Sequence, residues 1–385
     1  MKKLIITALV FVFAVSCHPE KQEYSQKIIG TWTIEKHDDQ TSEKPVLPYT
    51  NDDPEIMVFE KDGTYTNKNG FFKFSRDQTI DENQTLYFGE KTKYAIKDDS
   101  LLIFDLAKNR FIGNKILHFT TRKIILEQKD KSTITLIPFS EKKFDNPPID
   151  EIIVSKFPCF GSCPQNSSII NKTGHLFFYG ESNNSKNGFY KNAIANKKIK
   201  DIFNELKHLD IESLQPEYQI SITDLSSQSV TLISKGKIIK TVYNYGNESP
   251  FELRRLIRNI SYLYQNIPLQ YIDLKDPVLL YDMKSDKQEV TFNNESETFY
   301  LFHELLKSKQ ITKNTRNLPF SGKYHVDLPK DYDFQHVQLY QRTVNTDGRF
   351  FKVQKRNGSF TVYDLGYNFF IRNHLIQPLN RNENQ

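Results

Sequence analysis

The chain has 385 residues and a formal net charge of +5, with 29 Phe and 20 Tyr but only one Trp, three Cys and three Met. Acidic and basic residues are interleaved along it, so there is no basic stripe of the kind that binds nucleic acid. This length exceeds one ordinary hydrophobic core, and the aromatic composition favours β-rich layers, so we expect two or three domains.

The N-terminal segment MKKLIITALVFVFAVSC joins two lysines to an apolar run over Leu4–Val15. A membrane-spanning helix needs ~20 apolar residues, so this run predicts a signal peptide over residues 1–16. The four residues Ala14–Cys17 resemble a bacterial lipobox, in which the first position is usually Leu. The alternative is an ordinary signal peptide with an unrelated cysteine nearby.

The lipobox resemblance implies that Cys17 becomes the first residue of the mature protein and carries a diacylglycerol thioether. Each buried CH₂ of an acyl chain contributes ~0.8 kcal/mol, so several chains hold a protein at a membrane surface. His18 occupies the position where Asp would indicate inner-membrane retention, so we expect an outer-membrane lipoprotein that faces the periplasm or the cell surface. Residues 17–25 are then a tether.

Residues 26–142 contain short apolar runs separated by DG, DD or KD turns, which predict a meander of antiparallel strands without a helix. The runs are KIIGTWTIEK, IMVFEKDGTYTNK, KYAIKDDSLLIFD, NKILHFTT, RKIILEQ and STITLIPF. Gly30-Thr31-Trp32 and this strand spacing resemble the lipocalin-like domains of lipoproteins from the Bacteroidota. The resemblance implies a β-barrel in which Trp32 closes the base and its indole N–H finds a buried acceptor.

Two states of the barrel interior remain open at this point. An eight-stranded barrel is wide enough either for one small apolar ligand or for its own side chains. Filling by Phe59, Tyr65, Tyr94 and Phe104 would count against a ligand cavity.

Residues 150–270 follow the linker KFDNPPID and predict an α+β domain with an antiparallel sheet. The stretch EIIVSKFPCFGSCPQNSSIINKTGHLFFYGE predicts three strands, with a cysteine loop after the first and a turn at Lys172-Thr173-Gly174. Amphipathic helices are expected at NKKIKDIFNELKHL and at SPFELRRLIRNISYLYQ, with Ser249 as the N-cap of the second. Strands are expected at SVTLIS and KIIKTVYNYG.

This segment resembles the family called domain of unknown function 6438. The resemblance rests on the loop Cys159-Phe160-Gly161-Ser162-Cys163-Pro164, on Tyr179 ahead of Gly180, and on the pair Thr223-Asp224. The family usually continues Pro-x-Tyr where this chain has Pro164-Gln165-Asn166. Because the family has no assigned activity, the resemblance implies a shape and no mechanism.

The pair Cys159 and Cys163 could form a structural disulfide, act as a redox pair or have another role. Thioredoxin-type sites have two intervening residues and a helix N-terminus, whereas this pair has three intervening residues in a β context. With Cys17 lipidated, two cysteines remain in an oxidising envelope, which favours a staple that contributes about 2 kcal/mol. Neither His175 nor His208 has ligand spacing, so no metal site and no cofactor are predicted. Asp224 is interpreted as a turn residue without catalytic function.

The sequence of residues 271–385 predicts a further α+β segment. A helix at ETFYLFHELLKSKQI would place Phe299, Phe302, Leu305 and Leu306 on one face. Strands are expected at KYHVDL, FQHVQLYQ, RFFKVQKRNGSFTVYDLG and YNFFIRNHL, with an Asn357-Gly358 hairpin turn. FNEL and YNYG of the preceding domain are echoed by FHEL and YDLG, so this segment is a candidate degenerate repeat without the cysteine loop.

Taken alone, the sequence favours a lipid-anchored, non-enzymatic envelope protein that binds or scaffolds an unidentified partner. Two alternatives are a carrier of a small apolar ligand in the barrel and a thiol-dependent enzyme that uses Cys159 or Cys163.

Overall fold

The computed structural model describes residues 24–377 except 25, 36–52, 77–82, 162, 275–282, 285–288, 291, 293, 312–317, 319–321, 327–341 and 356. The signal peptide and Cys17 lie outside the described residues. The chain forms two compact units. The barrel unit comprises Met1–Phe71 and Glu90–Ser140, and the second unit comprises Phe72–Gly89 and Glu141–Gln385.

The first ten strands of the described residues all overlap the predicted apolar runs except β4 and β5, which lie between two of those runs. They are β1 (Gly30–Ile34), β2 (Ile56–Phe59), β3 (Thr64–Asn67), β4 (Phe72–Arg76), β5 (Asn83–Tyr87), β6 (Lys91–Lys97), β7 (Ser100–Asp105), β8 (Arg110–Phe119), β9 (Ile124–Glu127) and β10 (Thr133–Pro138). All except β4 and β5 form one closed antiparallel barrel, in the order β1-β10-β9-β8-β7-β6-β3-β2. The predicted N-terminal barrel is therefore confirmed.

The side chains of the barrel unit form their own core around Trp32. This residue is 3% exposed, and its Nε1 donates to the backbone oxygen of Ile28 at 2.7 Å. Other buried members of the core are Met57, Phe59, Tyr65, Phe71, Leu101, Ile116, Ile124, Leu126 and Leu136. The barrel unit therefore has an aromatic and aliphatic core of its own.

Three of the four aromatic residues proposed to fill the barrel do so. The Phe59 ring lies 5.0 Å from those of Tyr65 and Tyr94. Phe104 does not belong to this set, because it pairs across the sheet with Phe111, which is 48% exposed, and their rings lie 5.2 Å apart. Alternation along β7 therefore puts Phe104 on the outer surface.

The β4–β5 hairpin interrupts the barrel sequence but belongs to the second unit. Phe72 and Tyr87 stack with ring centroids 4.8 Å apart, and both rings contact Tyr262. The backbone N–H of Tyr87 donates to Gln265 Oε1 at 2.9 Å, and Asn266 Nδ2 donates to the Tyr87 oxygen at 3.0 Å. The sequence had placed these residues within a domain spanning 26–142, so that boundary is corrected.

The described part of the second unit contains four α-helices, labelled in chain order. They are α1 (Lys197–Glu205), α2 (Phe251–Ser261), α3 (Glu295–Lys307) and α4 (Phe369–Arg372). Among the described residues, no helix has the length and apolar character needed to span a membrane.

Apart from the β4–β5 hairpin, the described strands of this unit form two sheets. They are β11 (Glu151–Lys156), β12 (Gln165–Asn171), β13 (Leu176–Ser182), β14 (Gly188–Lys191), β15 (Glu217–Tyr218), β16 (Ser227–Ser234), β17 (Lys237–Tyr245), β18 (Gln270–Ile272), β19 (Met283–Lys284), β20 (Glu289–Val290), β21 (Lys309–Ile311), β22 (Gly322–Val326), β23 (Arg342–Thr346), β24 (Phe350–Gln354), β25 (Phe360–Asp364) and β26 (Ile376–Gln377). The first sheet has the order β15-β17-β16-β11-β12-β13-β14-β18, and the second has the order β21-β25-β24-β23-β22-β19-β20-β26. Neighbouring strands are antiparallel except β15 and β17.

The first sheet is covered on both faces, as β11 shows. Ile152 and Val154 point into a core that includes residues of α1 and α2. Ile153 points the other way, into a core that includes α3 and strands of the second sheet. This explains why β11 is a continuous apolar run rather than an alternating one.

Helix α3 differs from its prediction as a one-faced amphipathic helix. Every residue from Ser296 to Phe302 is buried, while Leu306 is 39% exposed. A helix that is buried around its circumference needs partners on more than one side. Its core contains Ile153 of the first sheet together with Phe351 of the second.

Two other helix predictions need correction. YNFFIRNHL was predicted as a strand, but it contains α4, because the Asn368 side chain caps the helix by accepting from the Ile371 N–H at 2.9 Å. Pro250, not Ser249, is the N-cap position of α2, and the Ser249 N–H donates to Asn244 Oδ1. The predicted strand FQHVQLYQ lies outside the described residues.

The two sheets share a spatial arrangement but not a chain path. If β16 and β17 are aligned with β24 and β25, then β11, β12, β13 and β14 fall on β23, β22, β19 and β20. In the first sheet the β11–β12 hairpin precedes β13 in the chain, whereas in the second the equivalent β22–β23 hairpin follows β19, the strand aligned with β13. The described strands of the two sheets therefore differ in connectivity, and the degenerate repeat stays a prediction.

Candidate functional site

The loop between β11 and β12 is closed by a disulfide. The sulfurs of Cys159 and Cys163 lie 1.95 Å apart and their Cα atoms 5.6 Å apart. Gly161 has a φ of +145°, which favours glycine over residues with a side chain. Phe160 lies within this small ring and is 88% exposed. The loop therefore holds a large apolar side chain in solvent.

The loop from residue 183 to 187 supports the cysteine loop from the side. Asn183 Nδ2 donates to the Cys163 oxygen at 3.2 Å, and Asn184 Nδ2 donates to the Gln165 oxygen at 2.6 Å. A Cβ at Gly180 would collide with the backbone oxygen of Lys186, so glycine is needed for this close approach. Position 180 thus has a packing role that the sequence left unexplained.

Thr223-Asp224 lies at the same end of the first sheet. The Phe157 N–H, just past β11, donates at 3.0 Å to the oxygen of Ser227, where β16 begins. Asp224 shortly precedes β16, is exposed and has a φ of +68°, as a turn residue does. The three features behind the family resemblance therefore gather at one end, which we call the loop end. It comprises residues 157–166, 180–187 and 223–227.

Glu181 is the titratable group at the loop end that the sequence did not single out. Burial raises the pKa of its carboxyl to about 7, and Gln165 Nε2 donates to its Oε2 at 2.7 Å. Strand alternation did not indicate this environment, because Glu181 lies at a β-bulge where Gln165 pairs with Ser182 and Asn166 pairs with Gly180. A carboxyl that titrates near neutrality is a common feature of functional sites.

Replacing Glu181 with Gln should stabilise the protein at pH 8 by about 3 kcal/mol and have little effect below pH 4.5. Folding raises the pKa of the Glu181 carboxyl from 4.5 to about 7. Between these two pH values the carboxyl stays protonated in the folded protein but is ionised in the unfolded chain. Wild-type stability from this group is therefore fully present below pH 4.5 and is lost as the pH rises through 7. Urea unfolding of both proteins at several pH values measures the difference.

Glu217→Gln, at an exposed position of the same sheet, is the matched control. The Glu181 interpretation fails if both variants show the same small difference from wild type at pH 8 and at pH 4.5.

The predicted absence of a metal site rested on histidine spacing in the sequence. His175 is exposed, and His208 lies 3.9 Å from Glu141. The structure brings together three other residues that could ligate a metal, Glu151, His303 and Glu304. Their separation along the chain hid this group from the sequence analysis.

Over the described residues, the chain is a mainly β protein with an eight-stranded barrel unit, and its second unit contains two mainly antiparallel sheets, the β4–β5 hairpin and four α-helices. Within the second unit, residues 150–264 match the family described as Domain of unknown function (DUF6438). The family resemblance drawn from the cysteine loop is thereby confirmed for this segment. No curated protein and no solved structure matches the chain.

Proposed function

We propose that this chain is a lipid-anchored cell-envelope protein, held at the outer membrane through Cys17, that binds a partner protein without catalysing a reaction. The observation that carries the binding role is Phe160, 88% exposed within a disulfide-closed loop. The disulfide also supports an envelope location, because such bonds persist in oxidising compartments.

A fixed, exposed aromatic side chain suits recognition for an energetic reason. Aromatic residues dominate the binding free energy of many interfaces when they enter a desolvated recess of the partner. The disulfide limits the conformations of the loop before binding, so less entropy is lost when the complex forms. The partner expected from this geometry is a protein with an apolar recess for Phe160.

The surroundings of Phe160 can supply the polar rim of such an interface. Lys156 Nζ lies 4.7 Å from the Tyr262 ring centroid, and Lys186 Nζ lies 5.9 Å from that of Tyr264. Lys186 and Glu181 belong to the loop end, and Lys156 immediately precedes it as the last residue of β11. Interfaces commonly combine a central aromatic anchor with such charged and polar neighbours.

A photo-crosslinking amino acid at position 160 should give a discrete protein adduct in intact cells that produce the full chain. Position 194 is the matched control, because Ile194 is also strongly exposed, at 81%, but lies outside the loop end. The adduct should weaken strongly when Cys159 and Cys163 are both changed to Ser, because the loop then loses its fixed shape. Gel mobility shift and mass spectrometry measure the adducts.

Equal labelling from positions 160 and 194 would show that the contacts are non-specific. No adduct at position 160 would also contradict the proposed binding surface.

A further inference from the structure

A histidine and two glutamates meet where the start of β11 lies beside the last turns of α3. Glu151 is the first residue of β11, and His303 and Glu304 are consecutive residues of α3. One carboxylate oxygen from each glutamate and one ring nitrogen of His303 all lie within 4.8 Å of one another. The three side chains therefore converge on one point from two elements.

His303 has an unsatisfied buried atom. Its Nδ1 is buried and has no hydrogen-bond partner among the described residues. A buried polar atom without a partner indicates a missing ligand or hydrogen-bond donor.

Lys307 neutralises the carboxylates in this structure. Its Nζ lies 2.5 Å from Glu304 Oε1 and 3.9 Å from Glu151 Oε1. The lysine side chain is 48% exposed, so it can move into solvent when another cation arrives. The Tyr367 hydroxyl donates to Glu304 Oε2 at 2.7 Å and would continue to orient this carboxylate.

We propose that Glu151, His303 and Glu304 form a binding site for a divalent transition metal, best suited to zinc, which displaces Lys307. One imidazole and two carboxylates are zinc ligands, whereas magnesium and calcium prefer oxygen ligands alone. Tetrahedral zinc holds its ligands about 3.4 Å apart, so the widest 4.8 Å separation must contract by about 1.4 Å. Rotation of the two glutamate side chains can provide that movement.

Three protein ligands would leave one coordination position to water. Because the ligands come from β11 and α3, the metal would link the DUF6438-matched sheet to the segment that follows it. This role is independent of the loop end, so the two proposals can fail separately.

To test the site, the purified, chelator-stripped full chain is titrated with zinc alone, and the heat of binding is measured by calorimetry. The unfolding temperature is then measured with and without zinc. We expect one zinc per chain and a higher unfolding temperature when zinc is bound. Magnesium and calcium should bind at least about tenfold more weakly than zinc. X-ray absorption of the zinc-loaded chain should show one imidazole nitrogen together with oxygen ligands.

Single substitutions test whether zinc binds at Glu151, His303 and Glu304. Glu151→Gln and His303→Ala should each weaken zinc binding by about tenfold or more. His208→Ala is the matched control, because His208 also lies near a carboxylate but has only that one partner for a metal. Lys307→Met should tighten zinc binding by about tenfold, since it removes the competing cation. A purely structural ion-pair cluster would instead lose stability in Lys307→Met without any gain in zinc affinity.

Absence of saturable zinc binding below about 100 µM would overturn the proposal. So would zinc binding that is unchanged in both Glu151→Gln and Lys307→Met. If His303→Ala does not fold, these two variants still decide the outcome, since neither removes a buried ring.

Discussion

The Cys17→Ser change is expected to move the protein entirely from the membrane fraction to the soluble fraction of the periplasm. Without a thiol at residue 17 no diacylglycerol can be attached, and the mature chain loses the acyl chains that would hold it at the membrane. The leader must be exchanged for one with a conventional cleavage site, because an uncleaved apolar leader could hold the chain at the membrane. Fractionation and intact mass measure the outcome.

The matched control for this experiment is the wild-type chain with its own leader. It should partition into detergent and carry the added mass of diacylglycerol and fatty acid. Membrane retention of the processed Ser variant, or a wild-type mass without lipid, would contradict the anchor.

Trp32→Ala should destabilise the barrel unit by about 3–5 kcal/mol, the range found for removing a large buried aromatic side chain. The ring is 3% exposed, and its loss leaves both a cavity and the Ile28 oxygen without its 2.7 Å donor. Hydrogen exchange of barrel amides against denaturant measures the effect without needing the indole fluorescence. In the wild-type chain that fluorescence reports on the barrel alone, since Trp32 is the only tryptophan.

Phe111→Ala is the matched control for Trp32, because it removes an aromatic ring that is 48% exposed on the outer surface of the same barrel. Its cost should stay below about 1 kcal/mol. Equal losses in the two variants would mean that Trp32 is not the central element of this core.

The barrel was predictable because each of its strands is a short apolar run next to a turn. The β4–β5 hairpin has the same appearance, with Phe72 and Tyr87 as its apolar residues. Its packing partners, such as Tyr262 and Gln265, lie some 180 residues later in the chain, so local patterning could not separate it from the barrel.

Helix predictions failed where tertiary contacts or capping decided the outcome. The aromatic residues of YNFFIRNHL have high strand propensity, but the Asn368 cap starts a helix there. The predicted helix began at Glu297, with its apolar residues on one face, whereas α3 begins at Glu295 and Ser296 is buried. In the structure Ser296 donates its N–H to Ser229 Oγ of the first sheet at 3.1 Å.

Of the site residues, the cysteine loop could be found from its spacing alone. Glu181 could not be found from strand alternation, because it lies at a β-bulge and the burial that raises its pKa comes from tertiary packing. The group of Glu151, His303 and Glu304 could not be found, because neither segment's sequence indicates that β11 and α3 lie side by side.

The burial of α3 determines the shortest fragment of this chain that we expect to fold by itself. The DUF6438 match ends at residue 264, yet Ile153, Ile169 and Tyr179 on one face of its sheet pack in the same core as α3, which begins at residue 295. A fragment trimmed to the family boundaries would present that apolar face to water and would self-associate. In this protein the cooperative unit is therefore longer than the recognisable domain, and fragments for biochemical work should run at least through α4.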